Sequence, residues 1–492
     1  MLKKIRDKTK RNAQISYLSE YDNCNYLPVK NKLEDLQIVK VEKITVNELF
    51  SGIGAQALAL ERLGIPCEIK HTSDIDHNAV LSYASIHCGL TEELINTYTE
   101  YPTREEMARQ LTEINLGYDF QKNKPYNWYR FVKSKSKELE KYWLANKLSR
   151  NLGDISKLEH LDYADFWTYS FPCTDISVAG KQEGIEQGQT RSGLLYEVQR
   201  LLERANKMLA LPKYLMLENV KNLVSKKFKP QFDEWVAWLN ELGYNTYWKV
   251  LNAKDYGVPQ NRERVFAISI RKDIDDGKFE FPQPFDNGVR LKDVLEDNVD
   301  EKYYLSEDIQ NRLIITDETL TKNIIGTTKP EYRSIGQRDL VYSENSIMGT
   351  LVATDYKQDY KQPKQILETN RCVKVGDLNY YPYETSNRVY SKEGISPTLT
   401  TMQGGNTEPK IAEPIAAVIE PDVKSFRVRK LTPKECYRLM GFTDEQFDRS
   451  QAFSSDSQLY KQAGNSIVVD VLYYIFGKLF EVDTETRKET EC

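Results

Sequence analysis

The sequence predicts an α/β protein: a Rossmann-like, doubly wound domain followed by a smaller region that is mostly β or irregular. Three observations predict it. Between residues 43 and 271, short β-branched or apolar runs alternate with segments of helical periodicity. The first such run ends in a glycine-containing turn that opens directly into a helix. Beyond residue 272, helical periodicity fades while Asp, Glu, Gly and Pro rise. At 492 residues the chain is too long for one simple domain.

The elements follow in order. In "KITVNELFSGIGAQALALERLG" (43–64) a strand from Ile44 to Phe50 gives way at Ser51 to a helix from Ala55. "CEIKHTSDID" is a second strand ending in acids, followed by the helix "HNAVLSYASI". Residues 89–150 are charged and helix-rich and read as an insertion, a solvated elaboration of the surface. "HLDYADFWTYSFPC" and "PKYLMLENV" each supply a strand, and "GYNTYWKVLNAKDYGVPQNRERVFAISIR" supplies two around a polar loop. Within 272–445, "VYSENSIMGTL" (341–351) and "VYSKEGISPTL" (389–399) align without a gap and suggest two similar hairpins. Residues 446–482 end in a helix with an apolar face, expected to return to the first domain, and 1–42 and 483–492 read as tails.

Composition excludes several classes. A hydrophobic content of 40% and a charged content of 29% are ordinary for a globular protein. A net charge of −5 exerts no global pull on nucleic acid, so any DNA contact must use a local basic face. No run of about 18 apolar residues exists, and the basic start "MLKKIRDKTKRNAQ" lacks the apolar core of a secretory signal, so no membrane association is expected. Seven scattered cysteines without CxxC spacing and four histidines without HExxH argue against a disulfide framework or a metal site. The expected compartment is a reducing cytoplasm.

The chemistry-bearing residues fall at strand ends. Gly52 and Gly54 let the backbone approach a ligand at the carboxyl end of the sheet. Asp74 sits where a carboxylate grips ribose hydroxyls, and Asp154 in "GDIS" where one accepts from an adenine amino group. Together they suggest an adenosine-containing ligand without separating NAD from S-adenosylmethionine. Cys173, fixed behind Pro172 in a loop after a strand, is a candidate nucleophile that needs an exposed, electropositive setting. Glu218 is an acid–base candidate. Gln260, Arg262 and Arg264 alternate, so on an extended segment they point one way as anchors for a polar substrate.

The ordered set ELFSGIGA, SDID, GDIS, SFPC, RSGLLYE, ENV, QNRER, RKLTPKECYRLMGF and AGNS resembles the DNA cytosine-5 methyltransferase family over about 350 residues. The resemblance implies a fold, a Rossmann-like S-adenosyl-L-methionine-dependent methyltransferase domain (43–271) with a target recognition domain (272–445). It implies that Cys173 adds to C6 of a flipped cytosine, Glu218 holds N3, Arg264 with Arg262 holds the base carbonyl and the thiolate, and Asn219 orients the loop. It places Phe50, Ser51, Gly52, Gly54, Asp74, Ile75, Asp154, Ile155, Pro172, Asn465 and Ser466 around S-adenosyl-L-methionine. The implied partners are double-stranded DNA and, functionally, a cognate restriction endonuclease, with monomeric action as the default. The glycine-rich loop after Cys173 is expected to close over DNA, and "KSFRVRK" with Arg438 to meet phosphates. Glu48, Ala55 and Asp74 depart from the usual Asp, Gly and Glu of the family, which bears on cofactor affinity rather than reaction type. An RNA cytosine-5 methyltransferase, a catalytically inactive DNA-binding protein and a NAD-dependent oxidoreductase are the competing readings. Intact Cys173, Glu218 and Arg264 and the large recognition region weigh against them.

Overall fold

The computed structural model of the chain describes residues 43–119, 123–173, 175–176, 184, 192–304, 306, 326–327, 340–341, 374–378, 380–381, 384–391, 395–399, 409–414, 426–482 and 484. The tails and most of the loop expected to close over DNA lie outside these residues, as do most of 305–373 and 400–425.

Strand β1 (Ile44–Leu49) is buried along almost its whole length, as a β-branched run inside a two-faced sheet must be. Helix α1 (Ala55–Arg62) follows, then β2 (Cys67–Ser73) and α2 (His77–His87). Three more helices come next: α3 (Glu92–Thr97), α4 (Arg104–Glu113) and α5 (Glu138–Leu148). The chain then lays down β3 (Phe166–Tyr169), α6 (Leu195–Lys207), β4 (Tyr214–Val220), α7 (Lys229–Leu242), β5 (Tyr244–Asn252) and β6 (Glu263–Arg271). The sheet order is β2-β1-β3-β4-β6-β5. Neighbours from β2 through β4 are parallel, and β6 runs antiparallel to both β4 and β5. The chain moves outward from β1 to β2 and returns to β3 on the other side of β1. That reversal opens a crevice at the carboxyl ends of β1 and β3, where ligands of such sheets bind.

The segment 89–150 is more than a solvated elaboration. Met107, Leu111, Trp128, Leu139 and Leu144 are buried in a core that also takes Val80, Leu81 and Ala84 of α2. The charged residues seen in the sequence cover the outside of this lobe, and its apolar ones are spaced to meet α2.

Past β6, four strands form a second sheet in sequential order: β7 (Lys374–Asp377), β8 (Arg388–Ser391), β9 (Lys410–Pro414) and β10 (Phe426–Lys430). Of the two similar segments, the first is described at Val341 and not beyond. The second is not a hairpin: Val389–Ser391 pairs in parallel with β9 and Ser396 pairs with Gln260, rather than one arm with the other. The basic run around β10 is also not a phosphate surface throughout. Arg429 is fully buried against Glu435, and Arg438 is turned onto Asp444 and the carbonyls of Val294 and Leu295.

The closing helices are α8 (Pro433–Arg438), α9 (Asp444–Gln451), α10 (Asp456–Asn465) and α11 (Val469–Leu479). Helix α8 starts as its sequence dictates, with Pro433 at the first position and a reciprocal cap between Thr432 and Glu435. Helix α11 lies against α1 and the sheet: Phe476 and Phe480 meet Phe166 of β3 edge-to-face, at 5.4 and 5.8 Å between ring centres.

Candidate active site

Three strand ends converge. Beyond β3 come Ser170, Phe171, Pro172 and Cys173, and β4 ends in Glu218, Asn219 and Val220. Because β6 is antiparallel, its first residues lie beside the last residues of β4, with Val220 opposite Arg264 and Glu218 opposite Phe266. Glu218 and Arg264 are therefore diagonal neighbours on one face. The Arg264 Nε lies 3.3 Å from Glu218 Oε1, and the Ser170 hydroxyl donates to Glu218 Oε2.

The loop that carries Cys173 is pinned. Asn219 Nδ2 donates to the Phe171 carbonyl at 3.0 Å, and Ser192 Oγ donates to the Pro172 carbonyl at 2.8 Å. The Ser192 amide in turn donates to Asp175 Oδ2 at 2.9 Å. Cys173 itself is half-buried rather than exposed. Burial pushes its thiol up, Arg264 and Arg262 pull it down, and Glu218 adds to the rise. The arginines thus oppose the effect of burial on the thiol.

Arg262 and Gln260 do not join Arg264 in one row. The strand begins at Glu263, and both Gln260 and Arg262 precede it and bond to the C-terminal half of the chain. Arg262 donates to the carbonyls of Leu399, Gly464 and Ser466 at 2.9, 2.9 and 2.8 Å. Gln260 donates to the Leu439 carbonyl at 2.7 Å and accepts from the Leu399 amide at 3.1 Å. These side chains stitch the Gly464–Ser466 turn and the 396–399 segment to the strand that brings Arg264. Asn465 is exposed at the end of α10, and Ser466 is buried with its hydroxyl on the Ile467 carbonyl.

The cofactor candidates gather at the crevice. Phe50, Gly52 and Gly54 take left-handed backbone conformations. At Gly54 a Cβ would fall 2.4 Å from His87 Nε2, so this position demands glycine. At Gly52 a Cβ would meet no atom, so the turn faces open space through which a ligand can approach the backbone. The Gly52 amide donates to Asp74 Oδ2 and the Asp76 amide to Asp74 Oδ1, at 2.9 and 2.8 Å. Burial, reinforced by Asp76, pushes the Asp74 carboxyl up to about 6. Phe50 and Ser51 both donate to the Ser73 carbonyl, at 2.7 and 3.3 Å. Ile75 is half-buried, while Ile155 is buried in the main core. Asp154 accepts from the Ser156 amide at 3.0 Å and from Asn115 Nδ2 at 2.8 Å. An open glycine turn beside the Asp74 carboxylate suits a nucleoside carrying hydroxyl donors.

Sequence reasoning missed Ser170, Asn115 and Asn151. Ser170 was available from its place three residues before Cys173. The two asparagines carry no local signal, since their partners lie 39 and 77 residues away.

Residues 115–481 match the family model described as C-5 cytosine-specific DNA methylase. The chain belongs to this family. Such an enzyme is a DNA (cytosine-5) methyltransferase. Among relatives, the type II methyltransferase M2.ScrFI of Lactococcus lactis subsp. cremoris is 36% identical over 89% of this chain and 99% of its own length. The orphan methyltransferase M.SssI of Spiroplasma monobiae is 31% identical over 89% and 98%. The orphan methyltransferase M.SPBetaI of Bacillus phage SPbeta is 28% identical over 92% and 100%. Methyltransferases named type II and orphan thus both match about nine-tenths of this chain. No helix among the described residues of this cytosine-5 methylase is long and apolar enough to cross a membrane.

Proposed function

We propose that the protein transfers a methyl group from S-adenosyl-L-methionine to C5 of a cytosine flipped out of double-stranded DNA, through a covalent adduct on Cys173. The observation that carries this reading is the meeting of Cys173, Glu218 and Arg264 at one end of the sheet, next to the open Gly52 turn. Phe50, Asp74, Ile75 and Asp154, with the Asn465–Ser466 turn, would hold the cofactor, which when bound supplies an electrophilic methyl group. Cytosine C5 is a weak nucleophile. The Cys173 sulfur, having given up its proton, forms a bond to C6, and the ring's electron pair moves toward C5 and N3. Glu218 holds a proton at N3 and so takes up that charge, while Ser170 and Arg264 fix the carboxyl. After C5 is substituted, its proton leaves, the C6–sulfur bond breaks and the thiolate is returned. The target carbon lies inside the duplex stack, so the base must be extruded to reach Cys173. Residues 272–445 would read the flanking sequence, and the modification would shield DNA from an endonuclease.

A duplex containing 5-fluorocytosine at the target position tests the reading. Fluorine cannot leave C5 as a proton does, so the enzyme with its cofactor is expected to stay bonded to the DNA in a denaturing gel. Absence of that band from an enzyme active on ordinary DNA would overturn the covalent route.

A further inference from the structure

We propose that the segment between Arg104 and Asn151 is the mount of the cofactor loops, and that Asn115 and Asn151 are positioning residues for S-adenosyl-L-methionine; this rests on the cofactor reading above. Asp74 lies past the end of β2 and Asp154 ahead of β3, so the sheet alone does not fix the distance between their carboxylates. A ligand touching both needs that distance held to a fraction of an ångström.

The segment supplies the missing constraint. Asn151 is 4% exposed. Its Oδ1 accepts from the Asp74 amide at 2.8 Å and its Nδ2 donates to the Asp74 carbonyl at 3.0 Å, so one side chain grips both polar groups of one residue's backbone. Its Nδ2 also reaches Asn146 Oδ1 in α5 at 2.9 Å. At the other loop, Asn115 donates to Asp154 Oδ2 at 2.8 Å, and the Asp154 amide donates to the Ile114 carbonyl at 2.9 Å. The approach is so close that a Cβ on Gly153 would fall 2.1 Å from that carbonyl oxygen. The Gly117 amide donates to the Ile75 carbonyl at 2.7 Å. Residues 114–117 and Asn151 therefore hold Asp74, Ile75 and Asp154 in one frame. The frame is stiff because Trp128, fully buried in the lobe's own core, donates from its indole nitrogen to the Leu116 carbonyl at 2.8 Å.

Asn115 has φ +55°, so replacing it with alanine would mix loss of the amide with backbone strain. Asn115→Gly keeps the backbone region and deletes the amide. The test is calorimetric titration of S-adenosyl-L-methionine into the wild-type chain and Asn115→Gly without DNA, together with KM and kcat. The expected result is a rise of roughly tenfold in Kd and in KM for the cofactor, the scale of one lost charge-assisted hydrogen bond. At saturating cofactor kcat stays, as does DNA affinity by anisotropy. A variant Kd within about twofold of wild type overturns the proposal, whatever happens to stability or kcat. A wild-type chain that takes up no S-adenosyl-L-methionine removes the cofactor reading and this inference with it, a failure visible before any variant is made.

Discussion

Two arginine–glutamate pairs among the described residues, Arg429–Glu435 and Arg264–Glu218, differ in what is left over. In the joint between β10 and α8, Arg429 and Glu435 are both fully buried and meet through two bonds of 2.8 Å. Glu435 also accepts from the amides of Thr432 and Glu296, at 2.7 and 2.9 Å, so its oxygens are saturated. At the sheet's edge, Arg264 stands off Glu218 at 3.3 Å, and the other Glu218 oxygen takes the Ser170 hydroxyl. The first pair has closed on itself and can only hold structure. The second keeps acceptor capacity and a neighbouring thiol, which is what an acid–base group needs. Sign alone does not separate the two; the count of satisfied lone pairs does.

Five substitutions probe that contrast, from the largest effect down. Cys173→Ala should lower methylation of DNA by on the order of 10⁴-fold or more, read by bisulfite sequencing and radiolabel transfer. Measurable turnover near wild type would remove the thiol from the reaction. Glu218→Gln should lower kcat by about 10²–10⁴-fold without lowering the melting temperature. Glu435→Gln should do the reverse: about 3 kcal/mol of stability lost in urea melts, because Arg429 is left buried beside a neutral partner, with kcat per folded molecule unchanged. Like behaviour of the two variants would erase the difference between the two pairs.

Glu48 provides a third term, a carboxylate with burial and no cation. Burial pushes its carboxyl up to about 7, against hydrogen bonds from Tyr83 and the Ala57 amide. A raised carboxyl gives stability that is present below its unfolded pKa near 4.5 and lost as pH rises through 7. Urea melts at pH 5 to 8 should therefore show Glu48→Gln losing less stability with rising pH than the wild type, by up to roughly 3 kcal/mol. Parallel pH profiles would contradict the burial argument. Smallest of the five, Ser170→Ala should lower kcat by about threefold to tenfold with KM for DNA held, since it frees one oxygen of Glu218 without removing the carboxyl. An unchanged kcat would make the Ser170 contact incidental.

Much of this is legible in the sequence. The β1–turn–α1 unit announces itself by β-branched residues giving way to glycines and then alanines, and Cys173 and Glu218 stand out because each ends an apolar run. What stayed hidden was non-local. That β6 is antiparallel, and so delivers Arg264 to the edge where β4 ends, cannot be read from its own alternation. The row of Gln260, Arg262 and Arg264 looked uniform because period-2 logic assumes a strand throughout, whereas the first two precede it and find their acceptors in the C-terminal half. The 89–150 lobe looked solvated because its charges are numerous, while its apolar residues only gain meaning against α2.

The bonds from Arg262 to Gly464 and Ser466 span 202 and 204 residues of sequence. A ribosome adding about 5–20 residues each second will have released Cys173, Glu218 and Arg264 many seconds before those two carbonyls exist. Until then the Arg262 guanidinium lacks these two anchors, and α11 is not there to lie against α1. An incomplete chain therefore carries Cys173, Glu218 and Arg264 without two of the anchors that hold the neighbouring Arg262.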